Sequence, residues 1–285
     1  MKSTTLCMGL VFVFCGTIGF AQVKNQVKKQ APAAIANPLL QEWKTPYGLP
    51  PFDKIKNEHY VPAFKAAMEE QMKNINAIVG NPQKPNFKNT IEAMEKSGAL
   101  MTKVSLVFYN QLSSNTSDEL QKVAEELAPM LSKHGDDIAL NPKLFLRIKT
   151  VYENRNAEKL NGEQLRLLEK YYKDFVRSGA NLNEKDQSRL REINSQLSLL
   201  TLQFSNNVMA ETNGFQLIIE NKDDLAGLPE SVIQMGADDA KSANMEGKWV
   251  YTTKKPSMLP FLTYAKNRAL REKIYNAYLN RGNKI

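Results

Sequence analysis

The sequence predicts a mostly α-helical fold with one small β element. Apolar residues recur three and four positions apart through most of the chain, which places them on single faces of helices. Asn, Ser, Gly and Pro stand at the ends of those runs, where helices start and stop. Segments rich in β-branched and aromatic residues occur in two places only, Phe215–Ile219 and Lys248–Thr253, and are expected to pair as a hairpin-like sheet. With 285 residues, 42% of them hydrophobic and 24% charged, the chain can bury a substantial core.

Residues 1–21 read as a signal peptide. Lys2 supplies the positive start, Leu6 to Phe20 the apolar stretch, and Gly19-Phe20-Ala21 the small residues before a cut after Ala21. Gly9, Gly16, Thr17 and Gly19 interrupt the run, and it falls short of the roughly 20 apolar residues of a membrane span, which speaks against a retained anchor. Phe12-Val13-Phe14 lacks the small residues that precede a lipid-modified cysteine. Residues 22–38, rich in Gln, Lys, Ala, Asn and Pro without apolar period, read as a flexible linker, and residues 39–285 as the folded region.

Pro46 to Asp53 is expected to be extended, because each proline fixes its own φ and biases the residue before it away from helix. A helix follows over Glu58 to Val79, carrying Tyr60, Phe64, Ala67, Met68, Met72 and Ile75, and Gly80-Asn81-Pro82 ends it. Asn89 or Thr90 is the expected cap of the next, whose face runs through Ile91, Met94, Met101, Val104, Phe108 and Leu112. Ser117 opens a third. Shorter helices are expected at Pro142 to Asn154 and Gly162 to Arg177. The strongest period in the chain is Leu190, Ile193, Leu197, Leu200, Phe204 and Val208, on a helix from Asn183 to Glu211, and it is read as core packing against a neighbouring helix. Asp223 to Asp238 reads as a turn and short helix, and two more helices follow at Ser257 to Lys266 and Asn267 to Leu279.

Several classes of function are excluded. Cys7 and Cys15 both lie in the signal segment, so thiol chemistry, disulfides and cysteine-bound metal are unavailable downstream. The formal charge of +8 is spread among acidic residues, as in Lys54, Lys56 and Glu58, and the only basic cluster is Lys24, Lys28 and Lys29, so nucleic acid is not an expected partner. Glu125 and Glu126, and Asp136 and Asp137, diverge as sequence neighbours on a helix and read as solvated surface rather than acid–base pairs. Asn115-Thr116-Ser117 fits a glycosylation acceptor, a pattern that chance also produces. The two histidines, His59 and His134, belong to no His-Glu-x-x-His unit, and His134 before Gly135 is expected to interact with a helix C-terminus.

Collinear blocks from residue 37 onward resemble the zinc metallopeptidase family of thimet oligopeptidase, oligopeptidase A and bacterial peptidyl-dipeptidase (dipeptidyl carboxypeptidase). They include Leu49-Pro50-Pro51-Phe52-Asp53, Glu58-His59-Tyr60-Val61-Pro62-Ala63-Phe64, Asn89-Thr90-Ile91-Glu92-Ala93-Met94-Glu95 and Phe175-Val176-Arg177-Ser178-Gly179-Ala180. The closest are Asp224-Leu225-Ala226-Gly227-Leu228-Pro229 and Gly247-Lys248-Trp249-Val250-Tyr251, followed by Leu270-Arg271-Glu272-Lys273-Ile274-Tyr275. The peptidyl-dipeptidase branch fits best. The resemblance implies a helical N-terminal half that forms one wall of a substrate channel, and, for a complete member, zinc-dependent removal of C-terminal dipeptides from oligopeptides.

The family's His-Glu-x-x-His helix lies beyond the matched blocks. No residue here matches a catalytic group or a metal ligand, and substrate-binding residues stay unassigned. The expectation is therefore an exported N-terminal portion, periplasmic or secreted, that is inactive alone, binds no zinc itself and has a complementary C-terminal catalytic chain as its possible partner. The alternative is a stand-alone helical module that holds peptides or a partner without hydrolysis. A half-channel is expected to expose apolar surface, and an independent module is not.

Overall fold

A computed structural model describes residues 37–283; the expected signal peptide, nearly all of the linker, and Lys284 and Ile285 lie outside the described residues. The Asn37 side chain accepts from the Leu39 amide at 3.0 Å, capping a 3-10 turn at Pro38–Leu40, and donates to the His59 carbonyl at 2.8 Å. Leu39 is thereby buried against the first long helix.

That helix, α1 (Tyr60–Val79), continues a 3-10 turn at Asn57–His59 and buries Tyr60, Ala63, Phe64, Ala67, Ile75 and Ile78. Its upper half packs on α3 (Ala99–Ser114) and α4 (Asp118–Ala139) around Phe108, which meets Tyr60 and Phe64 edge-on with centroids 5.1 and 5.5 Å apart. Its lower half joins α5 (Pro142–Glu153) and α6 (Gly162–Arg177) in a second core of Ile75, Ile78, Ile91, Leu144, Ile148 and Leu168. Arg147 of α5, itself buried, donates to the Asn81 carbonyl at 2.9 Å and to Asn89 Oδ1 at 3.1 Å, pinning the connection after α1.

The third core lies beyond α7 (Glu184–Gly214) and belongs to the last quarter of the chain. Strands β1 (Leu217–Ile219) and β2 (Trp249–Tyr251) pair antiparallel in the register Leu217 with Tyr251, Ile218 with Val250 and Ile219 with Trp249. Around them pack α8 (Glu230–Ser242), α9 (Lys255–Tyr264) and α10 (Arg268–Leu279). Tyr251 reaches under α8 because Gly236 has no side chain; a Cβ there would lie 2.8 Å from the ring. The strands are separated by all of α8, and that helix runs to Ser242, four residues past its expected end.

Three expectations are corrected. Pro46–Gly48 is not extended: Tyr47 and Gly48 take φ of 60° and 65° in a tight turn, since proline restrains itself and the residue before it but not the two after. The expected cap at Asn89 or Thr90 is Asn86, three residues earlier. Asn86 Oδ1 accepts from the Asn89 amide at 2.8 Å and Asn89 Oδ1 from the Asn86 amide at 3.0 Å, so the anticipated cap is the reciprocal partner. The helix opens with a π-helical turn at Phe87–Glu92, continues as α2 (Ala93–Ser97) and breaks at Gly98, where the backbone passes so close to Gln71 that a Cβ would lie 2.9 Å from its Nε2. The third concerns α7, which buries no residue: Leu197, Leu200 and Phe204 are 52%, 58% and 52% exposed, so the apolar row read as core has nothing packed over its centre among the described residues.

Candidate functional site

Helices α3, α4 and α7 enclose an open groove of about 900 Å³, the size of a small-ligand pocket. On α4, Ala124, Ala128 and Ser132 fall four residues apart and put small side chains on one wall, leaving space where larger ones would close it. Phe108, Leu112, Leu131, Leu202 and Met209 supply the apolar floor. The α7 wall presents Asn194, Ser198, Thr201 and Ser205, spaced four, three and four, as a polar row beside the helix's apolar one.

No lining residue carries a formal charge. The Ser198 and Ser205 hydroxyls donate to the carbonyls of Ser195 and Thr201 at 2.8 and 3.0 Å, which leaves oxygen lone pairs to accept from a bound group. Burial pushes the Tyr109 phenol up, so it stays protonated and able to donate. The Thr116 hydroxyl is buried without a partner at the groove's end, where Ser117 accepts from the Leu120 amide at 3.2 Å and caps α4. Such a lining can hold an uncharged extended chain by apolar contact and hydrogen bonding. It offers no nucleophile activated by a base and no acid–base pair.

A polar latch fastens α7 to α4 beside the groove. Asn194 donates to Asp136 Oδ1 at 2.7 Å, and Arg191 donates to Asp137 Oδ1 at 2.8 Å while Lys133 holds Oδ2. Burial opposes ionisation of Asp137, but the hydrogen bonds from Lys133 and Arg191 outweigh it and hold the carboxyl below its usual range. Asp136 and Asp137 are therefore not solvated surface; Asp136 is buried, because α7 covers this part of α4. Glu125 and Glu126 stay exposed, Glu126 facing Lys65 at 3.9 Å.

His134 lies inside α4, which runs on to Ala139, rather than at a helix end. Its Nε2 is 2.8 Å from Gln71 Oε1, an acceptor, so Nε2 carries a hydrogen. Burial pushes its pKa down, with Asp137 opposing, which favours the neutral ring. His59 is buried and its Nδ1 accepts from the Lys56 amide at 3.0 Å, so that lone pair is already used. Among the described residues no three His, Cys, Asp or Glu side chains gather as a metal site, and the zinc implied by the resemblance does not fit them.

The groove was not foreseen from the sequence. Its one legible trace is the polar row of α7, visible at helical spacing once the apolar row is set aside.

No protein-family model matches the chain. It is 36% identical to the dipeptidyl carboxypeptidase of Escherichia coli over 248 residues, which cover 87% of this chain and 36% of that protein. It is 33% identical to the oligopeptidase A of Haemophilus influenzae over 248 residues and 31% identical to that of Escherichia coli over 247, again with 87% of this chain and 36% of each relative covered. The chain thus spans little more than a third of the length of these relatives.

Proposed function

The chain belongs to the peptidase family of thimet oligopeptidase, dipeptidyl carboxypeptidase and oligopeptidase A, and from that membership we propose that it is the N-terminal part of an exported, zinc-dependent peptidyl-dipeptidase. The observation that carries the reading is 36% identity over 87% of this chain set against 36% coverage of the relative. In the complete enzyme the metal supplies an activated water for release of C-terminal dipeptides. The described residues hold no such centre, and this chain's share is to bind peptide along the groove of α3, α4 and α7 and to be inert alone.

Within the groove, Phe108, Leu112 and Met209 take apolar side chains, Ser198 and Ser205 accept peptide N–H groups, and Tyr109 donates to a peptide carbonyl. The absence of charge from the lining favours neutral peptides. Residues 1–21 direct export with cleavage after Ala21, and among the described residues no helix is long and apolar enough to cross a membrane. A second reading, a peptide-binding module without catalysis, is favoured by the groove being built from α3, α4 and α7 of this chain alone.

The test offers a neutral tetrapeptide with a free C-terminus to the purified chain from Gln22 onward, with and without zinc, and follows dipeptide release and anisotropy of a labelled copy. The expected result is no release and saturable binding that changes by no more than about twofold at ~1 M salt, because no charge pair is involved. Chelator-sensitive release by the chain alone overturns the inert reading; absence of saturable binding removes the groove's role. Release that appears when the rest of the Escherichia coli relative is supplied as a second chain favours the peptidase part over the module.

A further inference from the structure

From Ile193 to Ala210 helix α7 runs eighteen residues without an Asp, Glu, Lys or Arg, in a chain that is 24% charged. A helix whose outer face meets water carries charges there, so this segment is composed for enclosure on both sides. One side faces α4 and the groove. The other bears the apolar row, and the chain's own turns close both its ends. At the Gly179 turn a Cβ would lie 2.6 Å from Leu190, and at the Gly282 turn a Cβ would lie 2.6 Å from Phe204 and 2.9 Å from Val208, so each turn lays bare backbone on the row. Between them Leu200 and about half of Phe204 face outward, and Leu197, which also lines the groove, stands at the edge the two sides share. The gap, from Leu197 to Phe204, spans eight residues, about 10 Å or two helical turns.

We propose that this two-turn gap is a docking seat for an apolar helix face from the part of the peptidase polypeptide that the relatives carry outside the matched region, so that α7 becomes an internal spine between two layers. The proposal rests on the reading of the chain as part of a larger peptidase. The size of the gap and its lack of charge describe the occupant: a helix presenting two or three aliphatic or aromatic side chains at spacings of three and four. Its source is assigned by length, since a match covering 36% of the relative leaves almost two thirds of that protein to provide it.

The test uses Leu200→Glu and Phe204→Glu, both outside the groove lining; Leu200→Glu is expected to leave the thermal melt of the isolated chain unchanged, and Phe204→Glu, whose ring the Gly282 turn touches, to lower it slightly. The mature chain is co-expressed with a tagged chain comprising the unmatched remainder of the Escherichia coli dipeptidyl carboxypeptidase. Expected is stoichiometric co-purification of the unsubstituted chain and at least a tenfold loss with either variant, because a carboxylate is then buried without a partner. Equal co-purification of the variants overturns the proposal. So does failure of the unsubstituted chain to bind the remainder, including the case where it pairs with a second copy of itself through Leu200. The two readings fail separately: a Leu200-dependent complex without dipeptide release leaves the seat intact and removes the peptidase activity, whereas release that survives Leu200→Glu does the reverse.

Discussion

Helices α1 and α7 carry apolar rows of the same period and meet opposite surroundings. On α1, Tyr60, Phe64, Ala67 and Ile75 are all 2% exposed or less; on α7, Leu197, Leu200 and Phe204 are each more than half exposed. The rows do not differ in composition enough to account for this. They differ in what the chain supplies to cover them. Leu39, α3 and α4 close over the upper half of α1, while among the described residues the turns at Gly179 and Gly282 reach the ends of the α7 row and leave its centre half-exposed. Periodicity specifies which face of a helix is apolar; the cover is a property of the rest of the fold. At roughly 1.5–3 kcal/mol for each large apolar side chain fully buried, the three half-exposed residues on α7 forgo about half of what such side chains contribute on α1.

The sharpest way to break this contrast is a matched pair of truncations. Phe108→Ala removes the ring at the centre of the α1, α3 and α4 core and is expected to cost about 3–5 kcal/mol, read as a lower urea midpoint at unchanged slope. Leu200→Ala is expected to fall within about 0.5 kcal/mol of the parent. If both truncations cost the same, the α7 row is covered in solution and the contrast with α1 fails.

A second pair compares two helical glycines. Gly236→Ala drives a methyl group toward the Tyr251 ring, whose hydroxyl donates to the Val232 carbonyl at 3.2 Å and whose burial pushes its pKa up to about 12. Overpacking there is expected to cost about 1–3 kcal/mol. Gly135→Ala in α4 meets nothing within 4 Å and is expected to stabilise by about 0.5–1 kcal/mol through helix propensity. Thermal melts of the two variants should move in opposite directions; a neutral Gly236→Ala would mean that the sheet core is looser than that of α1.

The helices were legible because local signals write them: Ser117 caps α4, Asn183 caps α7 and Asn267 caps α10, each by accepting an amide, and Gly162–Arg177 has the bounds its sequence implies. The cap at Asn86 was misplaced because a reciprocal box contains two asparagines, and spacing alone does not say which comes first. Asn86→Ala is expected to cost about 1 kcal/mol, and the amide of Asn89 should exchange faster with solvent. What stayed illegible were relations between remote segments. Nothing near Asp136 and Asp137 announces that Asn194 and Arg191 will arrive from more than fifty residues away, nothing beside His134 names Gln71, and the groove exists only where three helices fail to fill the space between them.

With no buried side chain of its own, α7 depends on polar ties to α4 where α1 depends on a core, and acid should therefore act on it first. The carboxyl of Asp137 titrates below its usual range in the folded chain, so its contribution is complete above the unfolded pKa near ~4 and is lost as pH falls through the lower folded value. A third of the side chain meets solvent, which limits the tie to about 1 kcal/mol or less. Asp137→Asn keeps an acceptor for Arg191 but removes the charge. Urea midpoints measured from pH 7 downward should separate parent and variant by that amount at neutral pH and converge below pH ~3. Curves that run parallel over the whole range would mean that Asp137 contributes shape rather than charge, and that α7 is held by the α4 contact in the way α1 is held by its core.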